Sequence, residues 1–191
     1  RLIDGDAPVE RPRIGARQGA AIAIYLSSAD GIARSSPELS TMRQSLALYL
    51  DPALAPARLL LADALNEQGR TEDAIAALAE IPADSGWAAS ARLQQAWFHD
   101  RLDRPVEALA AAEQALAASR RREILIGVAD LYRVNQNYPK AEALYSEIVK
   151  ADMAANRADW RILFARASTR EAAGKWKEAE ADALAALAAE P

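Results

Sequence analysis

The chain has 191 residues, 51% of them hydrophobic but only 6% aromatic, and a formal charge of −4. A net negative chain lacks the basic footprint that releases counterions from a nucleic acid, the absence of cysteine excludes disulfides and thiolate metal sites, and no run approaches the roughly 20 apolar residues of a membrane span. An alanine-rich, helix-favouring composition of this length points to one elongated all-α domain.

Residues 1–18, RLIDGDAPVERPRIGARQ, carry two prolines and two glycines without a helical period, which predicts an extended N-terminal segment ahead of a helical domain over 19–191. Through that domain a small residue stands twelve positions before another small residue five times: Ser28/Ser40, Ala62/Ala74, Ala96/Ala108, Ala129/Ala141 and Ala167/Ala179. The second members follow one another at intervals of 34, 34, 33 and 38 residues. A period near 34 marks stacked helical hairpins, and small residues at fixed places let two helix backbones cross closely.

In chain order, the first unit spans 21–52 and rests on Ser28, Ala47 and the closing Asp51-Pro52, with Ser35 at its turn and three residues before Glu38. The second, 55–82, places a helix from Arg58 to Glu67, a stop at Gly69, an N-cap at Thr71 and a second helix from Thr71 to Ile81, closed by Pro82. The third, 89–120, reads as Trp87 to Arg101, a turn at Asp103, and Pro105 to Ala118 with proline in the first turn. Here Gln95 and His99 fall where apolar residues are usual. The fourth, 122–150, is carried by Val128, Ala129, Tyr132, Tyr138, Ala141, Tyr145 and Ile148, with its turn at Gln136. The long interval then leaves extra residues at 151–159, to be taken up by a longer helix or a loop. The fifth unit, 160–191, turns at Gly174; Gly69 and Gly174 are the natural left-handed stops.

Chemistry-bearing constellations are sparse. His99, the single histidine, falls on a packing face and reads as a buried, hydrogen-bonded structural residue rather than a base or a zinc ligand. Gly15 to Gly19 lacks the strand and further glycines of a phosphate loop, and Glu67 and Glu72 read as turn solvation and capping rather than an acid/base pair. Arg120-Arg121-Arg122 reads as a solvated run helping the dipole at a helix end. The sequence thus predicts no catalytic residue, no metal, no cofactor and no enzymatic activity.

The repeated unit resembles the tetratricopeptide repeat (TPR) family, most completely over 160–191 through Leu163, Ala167, Gly174, Trp176, Ala179, Ala186 and Pro191, and over 55–82 through Leu61, Ala62, Leu65, Gly69, Ala74, Leu78 and Ile81. That resemblance implies a right-handed superhelix of antiparallel helical hairpins, a TPR-like α-solenoid, whose first helices line a concave face where ligand segments lie. Two columns are then expected on that face: Tyr25, Leu59, Leu93, Ile126 and Phe164, which are apolar, and Ala29, Asp63, Trp97, Asp130 and Ser168, which are mixed. Tyr25, Trp97 and Phe164 are expected to be exposed, whereas Leu59, Leu93 and Ile126 are divided between groove and packing. Such a trough suits a protein or peptide segment that is apolar with some positive charge, anchored on Trp97.

Chaperone-adaptor members of the family grip a terminal carboxylate with lysine, arginine and asparagine at places that here hold Leu59, Asp63, Leu93 and Trp97. That clamp is absent. The segments LALYLDP, LLLADALNEQGR and IPADS are similar to bacterial envelope-associated repeat proteins, which implies a periplasmic location, with the cytoplasm as the alternative. The resemblance implies a non-catalytic scaffold holding a protein segment, in cell-envelope maintenance. The other reading is a TPR arm of a larger polysaccharide-export or glycosyltransferase protein. Pro191 closes the last unit, and an apolar solenoid end is where an array continues or pairs, so self-association through the C-terminal end is among the expected contacts.

Overall fold

The structure, a computed structural model, describes residues 14–29 and 36–189, with the side chains of Ser28 and Ala29 outside the description. Among the described residues there are ten α-helices and no strand: α1 (Ala16–Ala29), α2 (Pro37–Leu50), α3 (Ala55–Glu67), α4 (Thr71–Ala79), α5 (Ala88–Arg101), α6 (Pro105–Ala118), α7 (Arg122–Val134), α8 (Tyr138–Ala154), α9 (Trp160–Ala172) and α10 (Trp176–Ala189). They form five antiparallel hairpins, each helix packing on its chain neighbours, while α5 also touches α7.

The small-residue pairs lie where the hairpins cross. Ala62, Ala74, Ala96, Ala108, Ala129 and Ala141 are wholly buried, and Ala167 and Ala179 nearly so. Ser40 is half-buried and its partner Ser28 lies outside the described side chains. One apolar cluster runs from α3 through α4 into α5, with Leu78, Ile81 and Phe98 among its members, and a larger one from α5 to α10 is built around Ile124, Leu131, Tyr145 and Ile148.

The turns share one hydrogen-bond pattern. After α3 the chain enters the left-handed region at Gly69 (φ 76°); the Gly69 N–H donates to the Asn66 carbonyl at 3.0 Å and the Arg70 N–H to the Leu65 carbonyl at 2.9 Å. This is the paired arrangement that satisfies the last carbonyls of a helix. It recurs at Asp103, Gln136 and Gly174, and again at Asn156 after α8. Two of those five positions hold glycine; the others accept a left-handed backbone on an L residue, which costs about 1–2 kcal/mol each. Asp and Asn tolerate it through local hydrogen bonds, an advantage Gln136 lacks.

This turn corrects the expected cap at Thr71. Arg70, whose N–H closes α3, also offers its carbonyl to the Ala74 N–H at 3.1 Å, so it is the N-cap of α4 and Thr71 is the first helical residue. The Thr71 hydroxyl instead donates to Asn66 Oδ1 at 3.1 Å. Arg104, Asn137 and Lys175 double in the same way, their carbonyls accepting from Ala108, Ala141 and Ala179 at 3.0 Å. In a three-residue turn whose first residue closes one helix and whose second is left-handed, the third is left as the cap.

Other boundaries shift for local reasons. Helix α1 starts at Ala16, inside the expected 1–18 leader, because the last proline of that stretch is Pro12 and the Gly15 carbonyl and N–H are engaged by Gly19 and Gln18; residues 1–13 lie outside the described residues. Ser35 also lies outside them, and α2 is capped by Ser36, which accepts from the Leu39 N–H. Helix α3 begins at Ala55 rather than Arg58, since Pro56 is suited to a first turn. Helix α4 stops at Ala79, two residues before Ile81, as Pro82 follows. The extra residues at 151–159 do both expected things: α8 runs on to Ala154, and a loop follows until Asp159 caps α9 by accepting from the Arg161 N–H at 3.0 Å.

Replacing Gln136 by glycine removes left-handed strain without touching a packed side chain. Gln136→Gly is expected to stabilise the protein by about 1 kcal/mol, read as a higher urea midpoint at an unchanged m-value.

Candidate binding groove

Contacts link the first helices α3, α5 and α7, which together with α9 carry the residues expected to line the groove. Gln94 on α5 donates to the Asp63 carboxylate and to the Leu59 carbonyl on α3, and Asn135 at the end of α7 donates to Asp100 on α5 at 2.7 Å. Leu93 leans on Gly127 of α7, where an added Cβ would meet Leu93 Cδ2 at 2.6 Å. A glycine inside a helix costs about 0.5–1 kcal/mol; here it admits the leucine and brings α5 and α7 together.

The apolar column is therefore partly a packing seam. Leu59 backs onto the smaller core cluster, and Leu93, Trp97 and Ile126 onto the larger, all four half-buried. Of the aromatics expected to be exposed, Phe164 is largely so, at 58%, whereas Tyr25 and Trp97 are half-buried, Trp97 against the larger cluster.

The two aspartates differ. Asp63 is exposed as a residue, but crowding of its carboxyl raises its pKa above the usual value, against the opposing pull of the Gln94 hydrogen bond. Asp130 accepts a 2.6 Å hydrogen bond from the Tyr145 hydroxyl and lies 3.6 Å from the Arg133 guanidinium. Burial, then that contact with Asp130, pushes the Tyr145 pKa upward, so the phenol stays a donor. Ser168 is half-buried, and the side chain of Ala29 lies outside the described residues.

His99 is half-buried rather than fully buried, and its Nδ1 is enclosed without a hydrogen-bond partner. It occupies the slot that holds Leu65 in the second unit and Tyr132 in the fourth. Gln95 is satisfied: its amide donates to the Ile75 carbonyl at 2.9 Å and accepts from Arg92 at 2.7 Å. The arginine run does more than serve a dipole. Arg120 pairs with Glu147 on α8, Arg121 with Glu123, and Arg122 with Asp152 at 2.9 Å and Asp159 at 2.7 Å.

The strongest electrostatic feature was not anticipated. Asp182 on α10 is buried and takes a two-pronged bond from Arg166 (both 2.7 Å) and a third from Arg170 (2.7 Å), while Arg170 and Lys175 together hold Glu142 on α8 at 2.9 and 2.6 Å. Arg166 also donates to Ser146. Asp182 stands where other units carry Ala77, Ala111 and Leu144, and Arg166 where they carry Leu61, Gln95 and Val128. An acid in one apolar slot and two arginines in others were the signal for a buried cluster.

No family model matches the chain, and no curated protein sequence matches it. Solved structures do. The MamA protein is 18% identical with a TM-score of 0.68, over 91% of this chain and 92% of that one. PilW, described as a widely conserved type IV pilus biogenesis factor, is 19% identical with a TM-score of 0.65, over 93% and 80%. The TPR-like repeats of a Podosopora anserina putative kinesin light chain are 15% identical with a TM-score of 0.64, over 94% and 96%. The chain has the tetratricopeptide-repeat fold, a right-handed superhelix of antiparallel helical hairpins.

Two outcomes are expected from the charges. Removing Asp182 takes from the mostly buried Arg166 its only carboxylate and from Arg170 one of two, so Asp182→Ala should cost about 3 kcal/mol in chemical denaturation. The Arg122 hydrogen bond, then that of Arg157, holds the Asp152 pKa below its ordinary 3.8. Its stabilisation is complete above that value and is lost as pH falls through the lowered one. Between pH 5 and pH 2 the melting temperature of Asp152→Asn should therefore fall less steeply than that of the parent chain.

Proposed function

We propose that this protein is a non-catalytic protein-protein interaction scaffold that holds a segment of another protein against the wall formed by its first helices. The observation that carries the reading is the repeat itself: helices α3, α5, α7 and α9 carry half-exposed Leu59, Leu93 and Ile126 and exposed Phe164 at one repeated position, with half-exposed Trp97 in the adjacent column. Tyr25 on α1 is the counterpart at the other end.

The partner's chemistry follows from the lining. Apolar side chains of the segment meet the leucine and aromatic column, and positive charge is favoured beside Asp63 and by the net charge of −4. Asp130, already paired with Tyr145 and Arg133, shapes the wall more than it offers a free charge. Trp97 is the anchor, because a half-buried indole has a fixed orientation and a face left to contact a ligand. The reading extends to the bacterial periplasm and to cell-envelope maintenance. That part is supported by the similarity of LALYLDP, LLLADALNEQGR and IPADS to envelope-associated repeats, and it agrees with the shared fold of PilW.

The immobilised chain tests both parts when it is offered envelope and cytosolic extracts side by side. A protein retained from the envelope extract by the parent chain, and at least tenfold less by a folded Trp97→Ala variant, is the expected outcome. Equal retention by the variant removes Trp97 from the site. Retention from the cytosolic extract alone removes the envelope assignment.

A further inference from the structure

Because turns and crossings recur, the units can be compared position by position. Aligning Ser40 with Ala74 and Ala141 brings Met42, Leu46 and Tyr49 of α2 onto Ala76, Glu80 and Ala83 in the second unit and onto Ala143, Glu147 and Lys150 in the fourth. Each of these side chains is exposed. The fold itself turns these positions to solvent, in the middle of the rod as in its first hairpin, and the second and fourth units fill them with small or charged residues.

Helix α2 breaks that rule. It packs on α1 and α3, and on its remaining side Met42 is 61% exposed, Leu46 50% and Tyr49 72%. Residues spaced four and then three apart stand in one line on a helix, and at 1.5 Å per residue the line is about 10 Å long. Three large apolar side chains gathered on a solvent-facing side mark an interaction surface, which single scattered ones do not. Both ends of the line carry charge. Exposed Glu38, four residues before Met42, continues it at the start of α2. At the other end the Arg17 guanidinium lies 5.6 Å from the centre of the Tyr49 ring and donates to the Tyr49 carbonyl at 3.0 Å. That carbonyl is one of those a helix leaves open in its last turn, so Arg17 sits just past the end of the apolar line.

We infer that the Met42, Leu46 and Tyr49 face of α2 is a docking surface for a second copy of this chain, the two α2 helices lying antiparallel about a two-fold axis beside Leu46. A two-fold contact needs a patch complementary to itself. Reversing this one sets Met42 against Tyr49 of the second copy, Leu46 beside its own equivalent, and Glu38 toward Arg17 of the second copy. A parallel pairing would instead set acid against acid and arginine against arginine. The surface belongs to a second helix, apart from the groove residues of the first helices and from the C-terminal end of the chain.

Sedimentation equilibrium of the full chain tests the inference. A reversible dimer is expected, its dissociation constant raised about tenfold by Leu46→Glu and about threefold by Glu38→Arg or by Arg17→Glu. Combining the two charge reversals re-forms the pair with opposite polarity and brings the constant back to that of the parent. Leu46, Glu38 and Arg17 are exposed, so the variants keep their fold, which circular dichroism verifies. A chain that is monomeric throughout, a dimer that Leu46→Glu leaves intact, or a double reversal no tighter than the single ones overturns the inference. So does a dimer that Trp97→Ala dissolves, which would place the second copy in the groove.

Discussion

Everything in this rod depends on how closely two helices can cross after a three-residue turn. The turn admits one left-handed residue and one that closes the first helix and opens the second, so the partner helix returns at a fixed angle and register. Four positions into that second helix lies the residue whose N–H meets the shared cap, and it is alanine at 74, 108, 141 and 179. Any larger side chain there would hold the helices apart along their whole length. Turn and crossing are two expressions of one constraint, and the regular alignment of the inner wall follows from it.

Charge then links what the turns define. Arg104 reaches back to Glu72, Lys140 to Glu113, and Arg170 to Glu142, each pair joining one hairpin to the hairpin before it. The exposed pairs contribute little individually. The Asp182 cluster differs because a buried carboxylate is held by two partly buried arginines, so it ties α8, α9 and α10 together. The N-terminal hairpins rely on other contacts: Gln68 donates to Thr41, Arg17 reaches the Tyr49 carbonyl, and wholly buried Gln44 has an amide without a partner.

Much of the fold was legible because its signals are local and repeated. Alanines twelve apart marked the crossings, and Gly69, Asp103, Gln136 and Gly174 marked the stops. What escaped needed knowledge of a second residue. Thr71 looks like a cap until the turn shows that Arg70 already is one. Arg166, Arg170 and Asp182 each break a column of apolar residues, and only together do they form a satisfied cluster. The exposure of the expected column was not legible, since half-burial of Leu93 depends on a glycine one hairpin away. His99 shows the opposite limit: its slot was read correctly, but the missing partner of Nδ1 has no trace in the sequence.

The contacts that hold this chain run chiefly between helices adjacent in sequence, with α5 and α7 one step further apart. Little loop-closure entropy must then be overcome before a contact forms. A hairpin emerging from a ribosome needs only its predecessor as a template, so the molecule can be assembled in the order in which it is translated, with a short unfinished end exposed at any moment.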